Sequence, residues 1–150
     1  MGVSAAGVYG STLSSVDFDF FVRPDPMHLD KAREAFHNLG MSELHAGVAS
    51  ANLIRMEVTD TFSDPEGGPS VDLMTKISGP SFEEVWRDHQ VHRFAGLDLH
   101  VASLDHIVAS KLAAGRDKDV YTVKRLAEDL GLELKEAAAK YKTSPGKKRK

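Results

Sequence analysis

The stretch VDFDFFV, residues 16–22, sets two aspartates into an otherwise apolar segment. In an extended strand successive side chains point to opposite faces, so Asp17, Asp19 and Phe21 share one face. The two aspartates lie about 6.6 Å apart along the backbone, and like charges about 4 Å apart repel by about 4 kcal/mol at an effective dielectric of about 20. The pattern therefore predicts a strand whose acidic face meets either solvent or a cation. The Phe21 ring on that face indicates that it is partly covered.

Composition predicts one domain without a membrane segment. The chain has 150 residues, 41% of them hydrophobic, and a formal net charge of −3, and this length is sufficient to bury one core. It contains no cysteine, which excludes disulfides and thiolate zinc sites. No apolar run is long enough to span a bilayer, and the N-terminus lacks the pattern of a secretory signal. We therefore expect a cytoplasmic protein with no membrane association.

Capping residues and glycines predict where several helices begin and end. Pro26 follows an aspartate at a predicted helix start, and Gly40 ends that helix. Glu84 stands three residues after a serine, which is the spacing of a capping box. The predicted helices start after Asp25, Ser81, Ser103 and Gly115.

Strand signals lie between these helices, and the mixture predicts an α+β fold without internal repeats. VDLMTKI, residues 71–77, is predicted to be a strand that carries a third aspartate, Asp72. A further short strand is predicted within residues 94–103. Residues 48–58 have the composition of a strand, and the glycine, proline and acidic content of residues 60–70 predicts a loop.

Three segments stand in an order that resembles one superfamily: MGVSAAGVYGSTLSSVDFDFFV, then VDLMTKISGPSFEEVW, then VASLDHIVASKLAAGRDKDVYTVKRL. A glycine-rich turn, an Asp-x-Asp strand, a third-aspartate strand and closing helices resemble the nucleotidyltransferase superfamily with its polymerase-β-like minimal fold. The bacterial branch related to abortive-infection and toxin–antitoxin nucleotidyltransferases is the most similar. The resemblance covers residues 2–131 and implies one domain over residues 1–131, a short mixed β-sheet flanked by helices with a helical C-terminal part. Residues 132–150 are expected to form a helical extension and a basic, disordered tail.

The resemblance implies a magnesium-dependent nucleotidyltransferase that moves a nucleoside monophosphate from an NTP to a hydroxyl acceptor and releases pyrophosphate. Asp17, Asp19 and Asp72 would be the catalytic residues and would hold two Mg²⁺ ions, because this chemistry depends on positioning and charge neutralisation. Asp72 would also help to deprotonate the acceptor hydroxyl. The acceptor is left open as a protein side chain, an RNA end or a small molecule.

Nucleotide binding is predicted for two groups of residues. Gly10 lets the backbone approach a phosphate, and Ser11 and Thr12 offer hydroxyl and backbone donors; ordinary turn chemistry explains the same three residues. Lys111 flanks the apolar stripe of its helix, so its ammonium either reaches the triphosphate or stays at the surface. Arg116 follows at a helix junction, where the family often has a basic residue near the nucleotide.

The match departs from the family pattern at the start of the chain. Alignment back from Asp17 places Gly2 and Val3 where the family has two small residues, so the phosphate cradle is incomplete or shifted to Gly10. An arginine common before the aspartates is replaced by Leu13. The chain begins where the family already has a helix and most of a strand, and the sheet edge left open predicts association with a second copy as a homodimer.

The sequence also leaves a second function and two minor roles open. The alternative function is a catalytically inactive binding module of the same fold, acting as a toxin–antitoxin component or an RNA-binding partner. The basic end of the chain, residues 140–150, could contact RNA phosphates. His89 and His92 have a spacing seen in metal sites but are expected to be an ordinary surface pair. Asp119 either pairs across two helices or serves as an N-terminal helix charge.

Overall fold

The computed structural model describes residues 1–131, and this part of the chain contains six helices and six strands. In chain order they are α1 (Gly2–Val8), β1 (Asp17–Phe21), α2 (Pro26–Asn38), β2 (Ser42–Glu43), α3 (Ser50–Met56), β3 (Asp60–Ser63), β4 (Ser70–Met74), α4 (Phe82–Arg87), β5 (Gln90–Phe94), β6 (Leu97–Val101), α5 (Leu104–Ala114) and α6 (Asp117–Leu130). The predicted α+β class is confirmed. No helix within this range combines the length and hydropathy that a membrane crossing requires. The extension and tail predicted for residues 132–150 lie outside the described residues.

Four strands form one sheet in the order β1, β4, β3, β2, while β5 and β6 form a separate hairpin. β1 and β4 are parallel and the other neighbours are antiparallel, so the sheet is mixed, as predicted. β1 is an edge strand. At this edge the Ser4 hydroxyl donates to the Asp17 carbonyl at 2.9 Å, and the Met1 ammonium donates to the Asp19 carbonyl at 2.7 Å. Helix α1 thus covers part of the edge, and the homodimer stays a prediction.

Alternation along β1 points its side chains to opposite faces of the sheet, and a core lies on each face. Phe20 contacts Phe36 of α2, with ring centroids 5.7 Å apart. The core on this face consists of Leu29, Leu53, Phe62, Val71 and Leu73. Phe21 points the other way and contacts Phe82 of α4, with ring centroids 5.4 Å apart. The core on that side consists of Ala5, Ala6, Val85, Val101, Ala102, Ile107, Val108, Val123 and Leu126. The acidic face of β1 therefore meets α1, α5 and α6.

Local signals set the ends of three helices. Asp25 accepts hydrogen bonds from two backbone N–H groups in the first turn of α2, and Pro26 occupies the first helical position. Ser81 and Glu84 form the reciprocal capping box of α4. Gly115 ends α5 with φ 65°, a left-handed conformation that glycine adopts without strain. These predicted boundaries are confirmed.

Two predictions for the middle of the chain are wrong. Residues 48–58, predicted to be a strand, contain α3, in which Ala, Leu, Arg and Met are good helix formers and Leu53 is fully buried. The loop predicted over residues 60–70 begins with β3, because Phe62 is fully buried and the strand pairs with both β2 and β4. In the second segment the burial of Phe62 by distant elements outweighs the local composition.

A buried ion cluster joins α2, β2, α3 and β3 on the side of the sheet away from the aspartates of β1. Arg33 binds Glu43, its Nε lies 3.1 Å from Asp60 Oδ2, and it donates to the Ser50 hydroxyl at 2.9 Å. His45 Nδ1 lies 3.3 Å from Asp60 Oδ1. Burial and the neighbouring Glu43 raise the pKa of Asp60 to about 6. Burial alone would raise the pKa of Glu43, but hydrogen bonds from Asp60 and Arg33 lower it.

Asp60 should make the stability of the protein depend on pH. The folded state binds the Asp60 proton more tightly than the unfolded chain, so its stabilising effect is complete below about pH 4 and is lost as the pH rises to about 6. Asp60→Asn mimics the protonated carboxyl at every pH. The lowered pKa of Glu43 makes its own contribution to stability rise with pH, which opposes the effect of Asp60. We therefore expect the stability of this variant relative to wild type to rise by about 1–2 kcal/mol between about pH 4.5 and about pH 7.5. Urea denaturation at both pH values measures this difference, and a difference independent of pH would contradict it.

Candidate functional site

The parallel pairing of β1 and β4 brings the predicted catalytic carboxylates to one face of the sheet. Asp19 is the direct Cα partner of Asp72, and Asp17 is the partner of Ser70. Side chains of paired residues point to the same face, and neighbouring strands lie about 4.8 Å apart. Asp17, Asp19 and Asp72, which we call the acidic cluster, are therefore neighbours although they come from distant parts of the sequence.

Hydroxyl groups orient two carboxylates of the acidic cluster. Ser70 Oγ donates to Asp17 Oδ1 at 2.6 Å, and Thr61 Oγ1 donates to Asp72 Oδ1 at 2.6 Å. Each bond uses one of the two carboxylate oxygens. Asp17 is exposed, whereas Asp19 and Asp72 are half-buried. The cluster thus lies at the boundary between the sheet and solvent, where an ion has access.

Four charged groups act on Asp19: the Met1 ammonium, Asp72, Lys111 and Asp17. Burial raises the pKa of Asp19, and the charges of Asp72 and Asp17 raise it further, while the Met1 ammonium and Lys111 lower it. Burial in turn lowers the pKa of the Met1 ammonium. The pKa of Asp19 remains raised because the two cations do not fully offset burial and repulsion. An additional cation near Asp19 would therefore be stabilising.

Gly2 packs directly against Asp19. A Cβ built on Gly2 would lie 1.7 Å from Asp19 Oδ2, and the backbone there has φ +76°. A side chain at this position would both overlap the carboxylate and strain the backbone. The equivalent Cβ on Gly7 of the same helix would meet nothing within 4 Å. The close approach to the acidic cluster is thus made by the first residue of α1.

Lys111 and Arg116 share one buried carboxylate, that of Asp119. Lys111 Nζ donates to Asp119 Oδ1 at 3.2 Å, and Arg116 Nε donates to Asp119 Oδ2 at 2.5 Å. Burial alone would raise the pKa of Asp119, but these two bonds lower it. The hydrogen bond to Asp119 raises the pKa of Arg116, and the charge of Asp19 adds to this effect. Asp119 therefore pairs across α5 and α6, and both cations lie within electrostatic range of Asp19.

The predicted phosphate-binding segment after α1 lies against α6. Ser11 Oγ, the Thr12 backbone N–H and Thr12 Oγ1 donate to Asp129 Oδ2 at 3.4, 2.9 and 2.8 Å. Gly10 has φ +96°, and a Cβ there would meet only Leu130, at an ordinary contact distance of 3.7 Å. The structure thus places this segment at the C-terminal end of α6. Its phosphate-binding role stays a prediction.

Two cavities meet at Asp19. The smaller cavity, of about 100 Å³, is lined by Lys111, Arg116 and Asp119 as well as by apolar side chains. The larger cavity, of about 460 Å³, lies between α1, β1, α4 and the β5–β6 hairpin and has mainly apolar walls. Met1 also borders both. Asp19 therefore has a cavity lined by paired charges on one side and a mainly apolar cavity on the other.

The donor atoms of the acidic cluster are of the type that magnesium prefers. Mg²⁺ is usually bound through one or two carboxylates together with water and substrate phosphates, rather than by an all-protein cage. Asp17, Asp19 and Asp72 offer carboxylate oxygens on one face, and Asp19 borders the cavity that is lined by Lys111 and Arg116. Among residues 1–131, no three His, Asp or Glu side chains form a ready metal-binding group. The donor type therefore fits magnesium, provided that groups other than these carboxylates complete its coordination.

His89 and His92, which the sequence predicts as a surface pair, point to different neighbours. His89 Nε2 lies 2.9 Å from His100 Nδ1, whereas His92 packs edge-on against Tyr9, with ring centroids 5.4 Å apart. The two histidines do not lie on one helix: α4 ends at Arg87, His89 follows it, and His92 lies in β5. Their side chains therefore have different neighbours.

Three residues that contact the acidic cluster were not predicted from the sequence: Gly2, Thr61 and Ser70. The resemblance aligns Gly2 with the first of two small residues, whereas phosphate binding was predicted for Gly10. The contact between Gly2 and Asp19 depends on α1, a helix of 7 residues whose small side chains gave no helical pattern. The alignment of Gly2 with a small residue of the similar superfamily was the signal that could have predicted this contact.

We expect Gly2→Ala to displace Asp19 and to destabilise the protein. The added Cβ overlaps a carboxylate oxygen in a strained backbone conformation, which should cost about 1–3 kcal/mol in the free energy of unfolding. Gly7→Ala is the matched control, because the same methyl group enters open space on the same helix and should leave stability unchanged or raise it by up to about 1 kcal/mol. Urea denaturation compares the two variants, and equal effects would contradict the proposed contact.

Asp119→Asn should weaken the junction of α5 and α6. It leaves Lys111, whose side chain is only 17% exposed, without its anionic partner, and we expect a loss of about 2–4 kcal/mol in the free energy of unfolding. Asp117→Asn changes an exposed aspartate in the same helical turn and should alter stability by less than about 0.5 kcal/mol. Denaturation curves that coincide for the two variants would show that the buried pairing contributes little.

Comparisons with known proteins gave no relative: no protein-family model matches the chain, and searches of the curated proteins and of the solved structures also found no match.

Proposed function

We propose that the protein is a magnesium-dependent nucleotidyltransferase, which moves a nucleoside monophosphate from an NTP to a hydroxyl acceptor and releases pyrophosphate. The observation that carries this proposal is the register of β1 and β4, which pairs Asp19 with Asp72 and keeps Asp17 on the same face. Carboxylates beside a cavity lined by Lys111 and Arg116 suit a metal–phosphate substrate. The resemblance of the sequence to nucleotidyltransferases supports the same proposal.

Different residues of the site would bind the metal ions and the phosphates of the NTP. Asp17, Asp19 and Asp72 would hold two Mg²⁺ ions, which when bound neutralise phosphate charge and align the reacting groups. Arg116 would bind phosphate oxygens through its planar guanidinium, and Lys111 would act as a point charge.

The transfer itself requires little covalent help from the chain. The acceptor hydroxyl oxygen bonds to the α-phosphorus, the bond from that phosphorus to the bridging oxygen breaks, and pyrophosphate leaves with the electron pair. Asp72 accepts the hydroxyl proton, and its hydrogen bond from Thr61 holds the carboxylate in orientation. Asp19 borders both cavities, so it would be accessible from either one.

A binding module without turnover is the second candidate. It is favoured by one observation, which is that the donors predicted to bind phosphate already bind carboxylates. Ser11 and Thr12 bind Asp129, and the two cations of the smaller cavity bind Asp119. Such a module would act as a toxin–antitoxin component or as an RNA-binding partner, and its acidic cluster would need no metal.

Calorimetric titration with each NTP, with and without Mg²⁺, tests the proposed site. We expect binding that depends on the metal, and we expect Asp19→Asn and Asp72→Asn each to weaken it at least tenfold, or about 1.4 kcal/mol, because each removes a metal-binding charge. Asp98→Asn is the matched control: it changes a strand aspartate of the hairpin, paired with Arg93 outside the site, and should leave the Kd unchanged.

Turnover separates the enzyme from the module. Incubation with labelled NTPs and a cell lysate should release pyrophosphate and label an acceptor, and Asp72→Asn should reduce this rate by at least about 100-fold. Binding that is independent of magnesium, unaffected by Asp19→Asn and accompanied by no pyrophosphate release would instead identify the binding module.

A further inference from the structure

The larger cavity has the size of a small-molecule site. Its volume is about 460 Å³, within the range of about 300–1,000 Å³ that is typical of ligand pockets. It lies between α1, the edge strand β1, α4 and the β5–β6 hairpin, and it reaches Asp19. Apart from Asp19 and Met1, its lining differs entirely from that of the smaller cavity. The proposed transfer therefore leaves this space for a second substrate.

Aromatic rings form one wall of the larger cavity. Phe21, Phe82 and Trp86 follow one another with ring-centroid distances of 5.4 and 5.9 Å. The Trp86 ring also stacks with His89 at 4.5 Å and with His100 at 5.1 Å. Contacts between aromatic rings are stronger than their buried area alone predicts. Such a wall favours a flat aromatic ligand over an aliphatic ligand of the same size.

The two cavities differ in charge. The smaller one contains Lys111 and Arg116, whereas no lysine or arginine within residues 1–131 lines the larger one. A triphosphate is best bound beside the two cations. A molecule in the larger cavity meets mostly apolar walls, where an unpaired charge would be costly. The chemistry of the walls therefore suits an uncharged second substrate.

We infer that the larger cavity binds the acceptor, and that the acceptor is an uncharged small molecule with a hydroxyl group on an aromatic body. This inference rests on the proposed function. The volume of the cavity favours a small molecule, and an RNA end is disfavoured because it would bring phosphates into a cavity that no lysine or arginine of residues 1–131 lines. At the Asp19 end of the cavity the acceptor oxygen bonds to the α-phosphorus, and pyrophosphate leaves with the electrons of the broken bond. The proton goes to Asp72, the strand partner of Asp19. The product is a phosphodiester of the aromatic alcohol.

Trp86 provides a direct probe, because it is the one tryptophan in the chain and forms part of the aromatic wall. We propose fluorescence titrations with 2-phenylethanol and, as the aliphatic control, with 2-cyclohexylethanol, both without NTP or Mg²⁺. The aromatic alcohol should cause a saturable change, and the aliphatic alcohol should bind about two- to tenfold more weakly. Equal affinities, or no saturable change with either alcohol, would overturn the inference.

Phe82→Leu tests the aromatic wall with little loss of apolar volume. This variant should show a smaller preference for the aromatic alcohol than the wild type, whereas Tyr121→Leu, which removes an exposed ring on α6 outside the cavity, should retain the preference of the wild type. Ligand-observed NMR gives both affinities without relying on Trp86 emission, and circular dichroism checks that the variants are folded. An undiminished aromatic preference in Phe82→Leu would contradict the role of the wall.

Transfer to the alcohol distinguishes this inference from the proposed function. Each labelled NTP is incubated with Mg²⁺, the protein and 2-phenylethanol, and labelled phosphodiester supports the inference. Pyrophosphate release with a lysate acceptor, combined with neither binding nor labelling of 2-phenylethanol, overturns the inference and leaves the proposed function standing. Binding of the alcohol without any NTP binding or turnover overturns both, because the cavity then holds a ligand that is not an acceptor.

Discussion

The parallel hydrogen-bonded ladder between β1 and β4 is the constraint on which the rest of the structure depends. It aligns Asp19 with Asp72 on one face, and it places Val71 and Leu73 in the core on the other. Because side chains alternate with a period of two, a slip of one residue would turn the carboxylates into that core and the apolar side chains out of it. Core packing therefore enforces the same register that gathers the acidic cluster.

Charged side chains are concentrated on both faces of the sheet, but in different settings. The pKa values of Asp60 and Asp19 are both raised, with burial as the largest cause in each case. A perturbed pKa by itself therefore does not identify a functional site. Access does distinguish them, because Asp60 is fully buried beside Arg33, whereas Asp19 borders two cavities. The first arrangement holds secondary-structure elements together, and the second leaves space for ligands.

Local sequence patterns predicted the features that local physics controls. The alternation at residues 16–22 and the caps at Asp25 and Ser81 depend on neighbouring residues, and these predictions are confirmed. The strand β3 was missed because the burial of Phe62 and its pairing with β2 and β4 are decided by distant elements. The same limit applies at the site. Alternation indicated which side chains share a face, but the pairing of β1 with β4, the contact of Gly2 with Asp19 and the shared carboxylate of Asp119 arise from tertiary packing, which residue spacing does not encode.

The position of Asp119 has a consequence for any anion that enters the smaller cavity. This carboxylate already bonds to both Lys111 and Arg116, so it acts as an internal competitor for the groups that would hold phosphate. An incoming anion must draw the cations away, which leaves Asp119 buried with weaker compensation. Affinity for the anion is then reduced by the strength of this internal pairing. Tight anion binding and a firmly closed junction between α5 and α6 therefore oppose each other.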